Sequence, residues 1–239
     1  MLLEVKNLSK KYLSKKDYAI KDIDLTGDSG QIIGILGRNG AGKSTTIKCI
    51  AGIHPYDVGE ICICDYEITK NPISAKMNYG YVGDEFALLE NMTGCEFIDF
   101  VANIYKVDAR KRAERINELE KVFNLGKAFH QSINTYSNGM KKKISLMSAL
   151  IHNPKVVILD EPLIGLDIET INKMKSLFKE YRLLNKLIIF SSHNINFMEK
   201  VCDYIYFFDK GKIKEKLLLS ELKANNIDLE AYFLEITEG

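Results

Sequence analysis

The run Gly37-Arg38-Asn39-Gly40-Ala41-Gly42-Lys43-Ser44 carries the densest chemistry in this sequence and matches G-x-x-x-x-G-K-[ST] at every position. Glycines let backbone N–H groups approach a polyphosphate closely, and a helix that starts there turns its positive end toward it. In that reading Lys43 reaches the β- and γ-phosphates, and the Ser44 hydroxyl ligates Mg²⁺. A second reactive group lies far downstream. Asp160 and Glu161 close the run Val156-Val157-Ile158-Leu159-Asp160-Glu161-Pro162, and Ser191-Ser192-His193 follows Leu187-Ile188-Ile189-Phe190. Taken alone, two carboxylates after an apolar run are an ordinary strand end. Beside a complete phosphate loop, Asp160 is suited to hold Mg²⁺ directly or through water, and Glu161 to act as general base on an attacking water. Residues just past the C-termini of parallel strands line the ligand crevice, which puts His193 at the γ-phosphate. His54, His130 and His152 are read as ordinary surface or core histidines.

These groups need elements to position them. Ile32-Ile33-Gly34-Ile35-Leu36 reads as a buried strand leading into the loop, and Ser44 to Ala51 as a helix with Ile47, Ile50 and Ala51 on one face. Leu3-Glu4-Val5 is a short strand, Lys15-Lys16-Asp17 a polar turn, and Ala19 to Leu25 an alternating strand. Glu60 to Asp65 alternates too, which would set Cys62 and Cys64 on one face. Tyr79 to Val82 is a further short strand. From about Glu85 to Leu150 the pattern turns helical. Ala113, Ile116, Leu119 and Phe123 form one stripe, and Met140, Ile144, Met147 and Ile151 another, read as core. Val156–Leu159 and Leu187–Phe190 are near-continuously apolar, as buried parallel strands are, with a helix marked by Ile171, Met174, Phe178 and Tyr181 between them. Lys210-Gly211 reads as a hairpin turn between Tyr204–Phe208 and Lys212–Glu215, and the tail from Ser220 as helical and polar. A helical block is therefore inserted between strands of an α/β core, in one compact unit.

Bulk composition narrows the function. With 46% hydrophobic residues, 33 Lys and Arg against 32 Asp and Glu, and a net charge of +1, the chain has enough apolar residues for a substantial core. It has no basic field to attract nucleic acid. Lys141-Lys142-Lys143 is read as a solvated helix face. No apolar run approaches the ~18–20 residues of a membrane span, and the N-terminus lacks a signal-peptide core, so a cytoplasmic protein is expected. Five cysteines without metal-ligand spacing read as reduced structural thiols.

With these motifs in this order, the chain resembles the ATP-binding subunit of ABC transporters essentially end to end. The resemblance adds further positions. Tyr12 falls where the family stacks an aromatic ring on adenine. Tyr136-Ser137-Asn138-Gly139-Met140 falls at the signature usually written Leu-Ser-Gly-Gly-Gln, retaining Ser137 and Gly139. Ile164-Gly165-Leu166-Asp167 falls at the loop that meets the partner subunit. It implies a P-loop NTPase (RecA-like) α/β core with an antiparallel β subdomain and an inserted α-helical subdomain at about 85–150. A C-terminal helical tail at about 215–239 completes one cassette over 1–239. It implies ATP and Mg²⁺ as ligands. Nucleotide contacts come from Tyr12, Gly37, Arg38, Asn39, Gly40, Ala41, Gly42, Lys43, Ser44 and Thr45, and from Ser137 and Gly139 toward a neighbouring subunit. Glu161, His193 and Lys43 are the implied catalytic residues, and Ser44 and Asp160 the metal ligands.

The same alignment puts Asp84 where the family has a glutamine, making a carboxylate a third candidate ligand and altered metal dependence the expectation. The implied partners are a second ATP-binding subunit, identical or not, and an integral membrane permease on whose inner face the chain would sit, with no nucleic acid. Phe86, Phe97, Phe100 and Tyr105 suit either a permease-docking groove or the core of the helical block. The Tyr-Ser-x-Gly-Met variant and the tail Leu229-Glu230-Ala231-Tyr232-Phe233-Leu234-Glu235 look like the exporter branch serving drugs, peptides, bacteriocins or lipids. Two other classes stay open: a soluble ATPase of this type acting in translation or DNA repair, and a module that binds ATP without hydrolysing it.

Overall fold

A computed structural model describes residues 1–13 and 16–238, and the side chains of all of these except 237 and 238. Lys15 of the expected polar turn lies outside the described residues. The chain runs β1 (Leu3–Lys11), β2 (Tyr18–Gly27), β3 (Ile32–Gly37), α1 (Lys43–Ile50), β4 (Val58–Ile63), β5 (Tyr66–Glu67), α2 (Pro72–Lys76), β6 (Tyr79–Val82), α3 (Gly94–Ile104), α4 (Ala109–Phe123), α5 (Asn138–Leu150), β7 (Val156–Leu159), α6 (Ile168–Leu183), β8 (Leu187–Ser191), α7 (Ile195–Val201), β9 (Tyr204–Asp209), β10 (Lys212–Leu218), α8 (Leu219–Ala224) and α9 (Leu229–Glu238). Two 3₁₀ turns, Gly126–His130 and Ile133–Thr135, link α4 to α5.

The strands form two sheets. One is antiparallel, in the order β2-β1-β4-β5; the other has six strands in the order β10-β9-β3-β8-β7-β6. In the larger sheet β9, β3, β8, β7 and β6 are parallel, and β10 closes the edge antiparallel to β9. The period-two rule explains how this sheet divides the core. Ile33 and Ile35 of β3 and Leu187 and Ile189 of β8 face the antiparallel sheet and α1. Ile32, Leu36, Ile188 and Phe190 face the helices on the other side. With both faces covered, β3, β7 and β8 have no polar alternation to show, and every residue in them is buried.

Local signals start the helices. Thr93 and Glu96 make a reciprocal capping box on α3, and Asp108, Ser137 and Asp167 cap α4, α5 and α6. Three sequence expectations change. β1 extends to Lys11, because its pairing with β2 and β4 continues through bulges. Cys62 and Cys64 do not share a face: β4 ends at Ile63, and Cys64 turns at φ 50° into the core while Cys62 stays half-buried. The tail from Ser220 is not polar throughout, because Leu222 and Leu229 are buried and Phe233 packs edge-on against Phe207. Among the described residues no helix is long and apolar enough to cross a membrane.

Candidate functional site

The C-terminal ends of β3, β6, β7 and β8 converge, because parallel strands laid side by side all finish on one edge. Four short segments meet there: Gly37–Ser44, Gly83-Asp84, Asp160-Glu161 and Ser191-Ser192-His193. A cavity of about 790 Å³ opens between them, lined among others by Tyr12, Asn39, Gly40, Gly42, Lys43, Ser44, Thr45, Asp84, Phe86, Lys142, Glu161 and His193.

The loop after β3 is shaped by Gly42, which caps α1 at φ 102°; a Cβ there would lie 2.6 Å from the Ile20 side chain. Only glycine suits both that backbone and that space. Lys43 is buried and curls back along the loop, its ammonium donating to the carbonyls of Gly37 at 2.8 Å and Arg38 at 3.1 Å. Burial lowers its pKa, against the pull of Glu161 and Asp160. Ser44 Oγ donates to Asp160 Oδ1 at 3.1 Å, which joins α1 to the end of β7.

Asp160 is fully buried. Its Oδ1 also accepts from Ser191 Oγ at 2.5 Å, whereas Oδ2 has no partner. A bare buried carboxylate oxygen beside a serine hydroxyl is a hard-oxygen donor set that suits a divalent cation. No group of three or more His, Cys, Asp or Glu among the described residues could cage a metal unaided. A cation here would complete its shell with water and substrate oxygens.

Glu161 is left-handed at φ 45°, a strained conformation for a non-glycine residue. Its N–H donates to Ser191 Oγ at 2.9 Å, and its carboxylate accepts from the His193 N–H at 3.4 Å. His193 Nε2 lies 3.1 Å from Glu161 Oε1, within ion-pair reach but not aligned as a hydrogen bond. Burial raises the Glu161 carboxyl above the usual range, with His193 and Lys43 pulling the other way. Such a carboxylate, facing a cavity, is chemically a proton acceptor.

Tyr12 also lines the cavity. Its hydroxyl is 2.9 Å from His54 Nδ1 and 3.4 Å from Thr45 Oγ1, and the two rings meet edge-on. His54 is not among the cavity-lining residues and reaches the cavity only through Tyr12. No sequence signal distinguishes it, because it is brought to Tyr12 only by the turn after α1. Asp84 lines the cavity but is paired with Lys48 of α1 at 3.0 Å. Partial burial works against both charges, yet their contact outweighs it: the Asp84 carboxyl lies below and the Lys48 ammonium above its ordinary value.

Ser137 and Gly139 do not line this cavity. Ser137 is exposed and caps α5 by accepting from the Met140 N–H at 3.3 Å. Gly139 packs on the loop after Glu161, where a Cβ would come within 2.6 Å of the Gly165 carbonyl oxygen. The lysine triplet that follows is not a solvated face. Successive residues on a helix point about 100° apart, and the three diverge: Lys141 pairs with Glu90, Lys143 with Asp167, and Lys142 is buried with its ammonium on the carbonyls of Gly83 and Asp160.

Comparison with known proteins agrees with this geometry. The ABC transporter family model matches residues 20–164, more than half of the chain. The linearmycin resistance ATP-binding protein LnrL of Bacillus subtilis is 34% identical over 212 residues, covering 89% of this chain and 68% of LnrL. A solved ATP-binding subunit of an ABC transporter superposes with a TM-score of 0.92 at 29% identity, covering 99% of this chain and all of the other. The dimeric post-hydrolysis state of the ATP-binding cassette MJ0796, bound to ADP and Pi, superposes with a TM-score of 0.82 at 24% identity, covering 91% and 99%. At that identity the last likeness is one of fold. A P-loop NTPase fold, a phosphate loop facing two strand-end carboxylates and a family match over most of the chain agree: this protein belongs to the ABC transporter family, as an ATP-binding subunit with ATPase activity.

Proposed function

We propose that the chain hydrolyses ATP in a site shared with a second ATP-binding subunit, and so powers a membrane permease that exports drugs, peptides or lipids. The observation that carries the shared site is the position of Ser137. It caps a helix whose N-terminal N–H groups suit an anion, yet it is exposed and outside the cavity of its own chain. Ser137 and Gly139 of one subunit would close over a γ-phosphate held by Lys43 of the other. ATP bound between them favours the closed dimer by mass action. The dimeric form of MJ0796 supports this arrangement by likeness of fold.

Within the site, Tyr12, steadied by His54, stacks on adenine, and the backbone of Gly37 to Thr45 wraps the phosphates. Lys43 exchanges its loop carbonyls for phosphate oxygens. Glu161 takes a proton from water as the water oxygen bonds to the γ-phosphorus. The bond from that phosphorus to the bridging oxygen breaks, and ADP leaves with the electron pair. His193 steadies the phosphoryl group in transit. Ser44 and Asp160 would hold Mg²⁺, which would supply neutralisation of phosphate charge. Asp84 joins that set only by releasing Lys48.

Opening after hydrolysis reaches the permease through Phe86 to Tyr105, placing the protein on the cytoplasmic face of the cell membrane. Of those rings, Phe97 is buried and Phe100 exposed, while Tyr105 lines a second groove with Val101, Tyr79 and Tyr81. The export reading draws on the likeness to a resistance protein.

Glu161→Gln tests the shared site. With Mg-ATP it removes the general base but keeps the binding surface, so a stable dimer is expected by size-exclusion chromatography with light scattering. A protein that stays monomeric with saturating Mg-ATP overturns the shared site.

A further inference from the structure

Lys142 is a buried cation that the mechanism above does not use. Only 3% of it is exposed, although it stands among residues read from sequence as a surface stripe. Its ammonium donates to the Gly83 carbonyl at 3.1 Å and the Asp160 carbonyl at 3.4 Å, and lies 5.9 Å over the Phe86 ring. Asp160, Asp84 and Glu161 surround it with negative charge. A helix-packing position needs no charge, and burying one is costly unless the charge does something specific.

The two carbonyls show what that is. Gly83 C=O belongs to the peptide that leads into Asp84, and Asp160 C=O to the peptide that leads into Glu161. The second peptide is the strained one, with Glu161 at φ 45°. Its N–H is held from β8 by Ser191 Oγ at 2.9 Å, and its carbonyl from α5 by Lys142. Gripped on both sides by different elements, the peptide can keep a conformation that an unrestrained glutamate would leave.

We propose that Lys142 is a positioning residue for ATP hydrolysis. It orients the peptides that aim Asp84 and Glu161 into the cavity, and ties them to the helix that begins at Ser137. A disturbance at the start of α5, where the partner's nucleotide would be met, is thereby passed to the general base through one side chain. The proposal rests on Glu161 being that base.

The test uses the full chain carrying Lys142→Met or Lys142→Arg. It combines steady-state ATPase kinetics with backbone hydrogen exchange of the nucleotide-free protein, and thermal unfolding as the folding control. Lys142→Met should lower kcat about tenfold, as expected for misplaced catalytic groups, with KM changed by less than about twofold because the phosphate loop is untouched. Exchange should rise in the segments 83–86 and 160–163. Lys142→Arg, which keeps donors and charge, should restore protection and most of kcat. A folded Lys142→Met with unchanged kcat overturns the proposal, as does a loss of kcat without faster exchange in those segments, or a loss seen mainly in KM. If Lys142→Met does not fold, Lys142→Gln carries the same expectations. Normal turnover by Glu161→Gln would instead remove the assignment of the base, while the exchange result would still report whether Lys142 holds the two peptides.

Discussion

Asp84 carries the sharpest residue-level question. Its carboxylate, proposed above as a third metal ligand, faces the cavity while bound to Lys48. That pair is partly exposed, at 20% and 47%, so it contributes only about 0–1 kcal/mol to stability. Asp84→Gln should therefore leave the unfolding midpoint nearly unchanged. The expected change is in the Mg²⁺ concentration giving half-maximal ATPase activity, because removing a hard anionic oxygen weakens a metal shell. An unchanged Mg²⁺ titration would take Asp84 out of the site. The phosphate loop, Asp160, Glu161 and His193 were all readable, because each lies on a contiguous motif. His54 and Lys142 were not: each acts on a partner that the fold brings from another part of the chain.

At the scale of elements, α5 matters most. Its first turn exposes Ser137, packs Gly139 on the loop after Glu161, and then sends three lysines to Glu90, to the strand ends and to Asp167. Lys143 and the Thr170 N–H hold the Asp167 carboxyl well below the usual range, so the cap of α6 is tied to α5 in its charged form. Gly139→Ala should push the Gly165 carbonyl, 2.6 Å from the new Cβ, out of place. An overpacking cost of about 1–3 kcal/mol is expected in urea unfolding, with ATPase activity reduced because the displaced loop begins at Glu161, the proposed general base. Unchanged stability and turnover would show that the loop yields freely. The helical pattern of α5 was plain in the sequence, but the directions of its lysines depend on helix phase relative to two neighbouring layers.

Over the whole molecule, His152 joins the strands to the helical block. It stacks on Tyr105 at 3.7 Å, and its Nε2–H donates to the Tyr79 carbonyl at 3.0 Å, leaving Nδ1 bare and the ring neutral. Burial lowers its pKa to about 4, aided by the charges of Lys186 and Arg115. A histidine depressed on folding stabilises fully above its unfolded value near 6.5, and that share is lost as pH falls from there toward 4. The loss amounts to up to about 3 kcal/mol. His152→Phe should flatten the fall in urea midpoint between pH 7.5 and 4.5 relative to the parent chain. A parallel fall in both proteins would mean that His152 does not titrate on unfolding. The sequence by itself determined the parallel core strands, the phosphate loop and the strand-end carboxylates, since continuous apolar runs and glycine spacing are local properties of the chain. Only the tertiary structure decided that Ser137 lies outside its own chain's cavity, that Asp84 is held by Lys48, and that Lys142 is buried on two strand-end carbonyls. Those outcomes depend on which strand ends and helix faces the packing brings into register, and no local pattern encodes that.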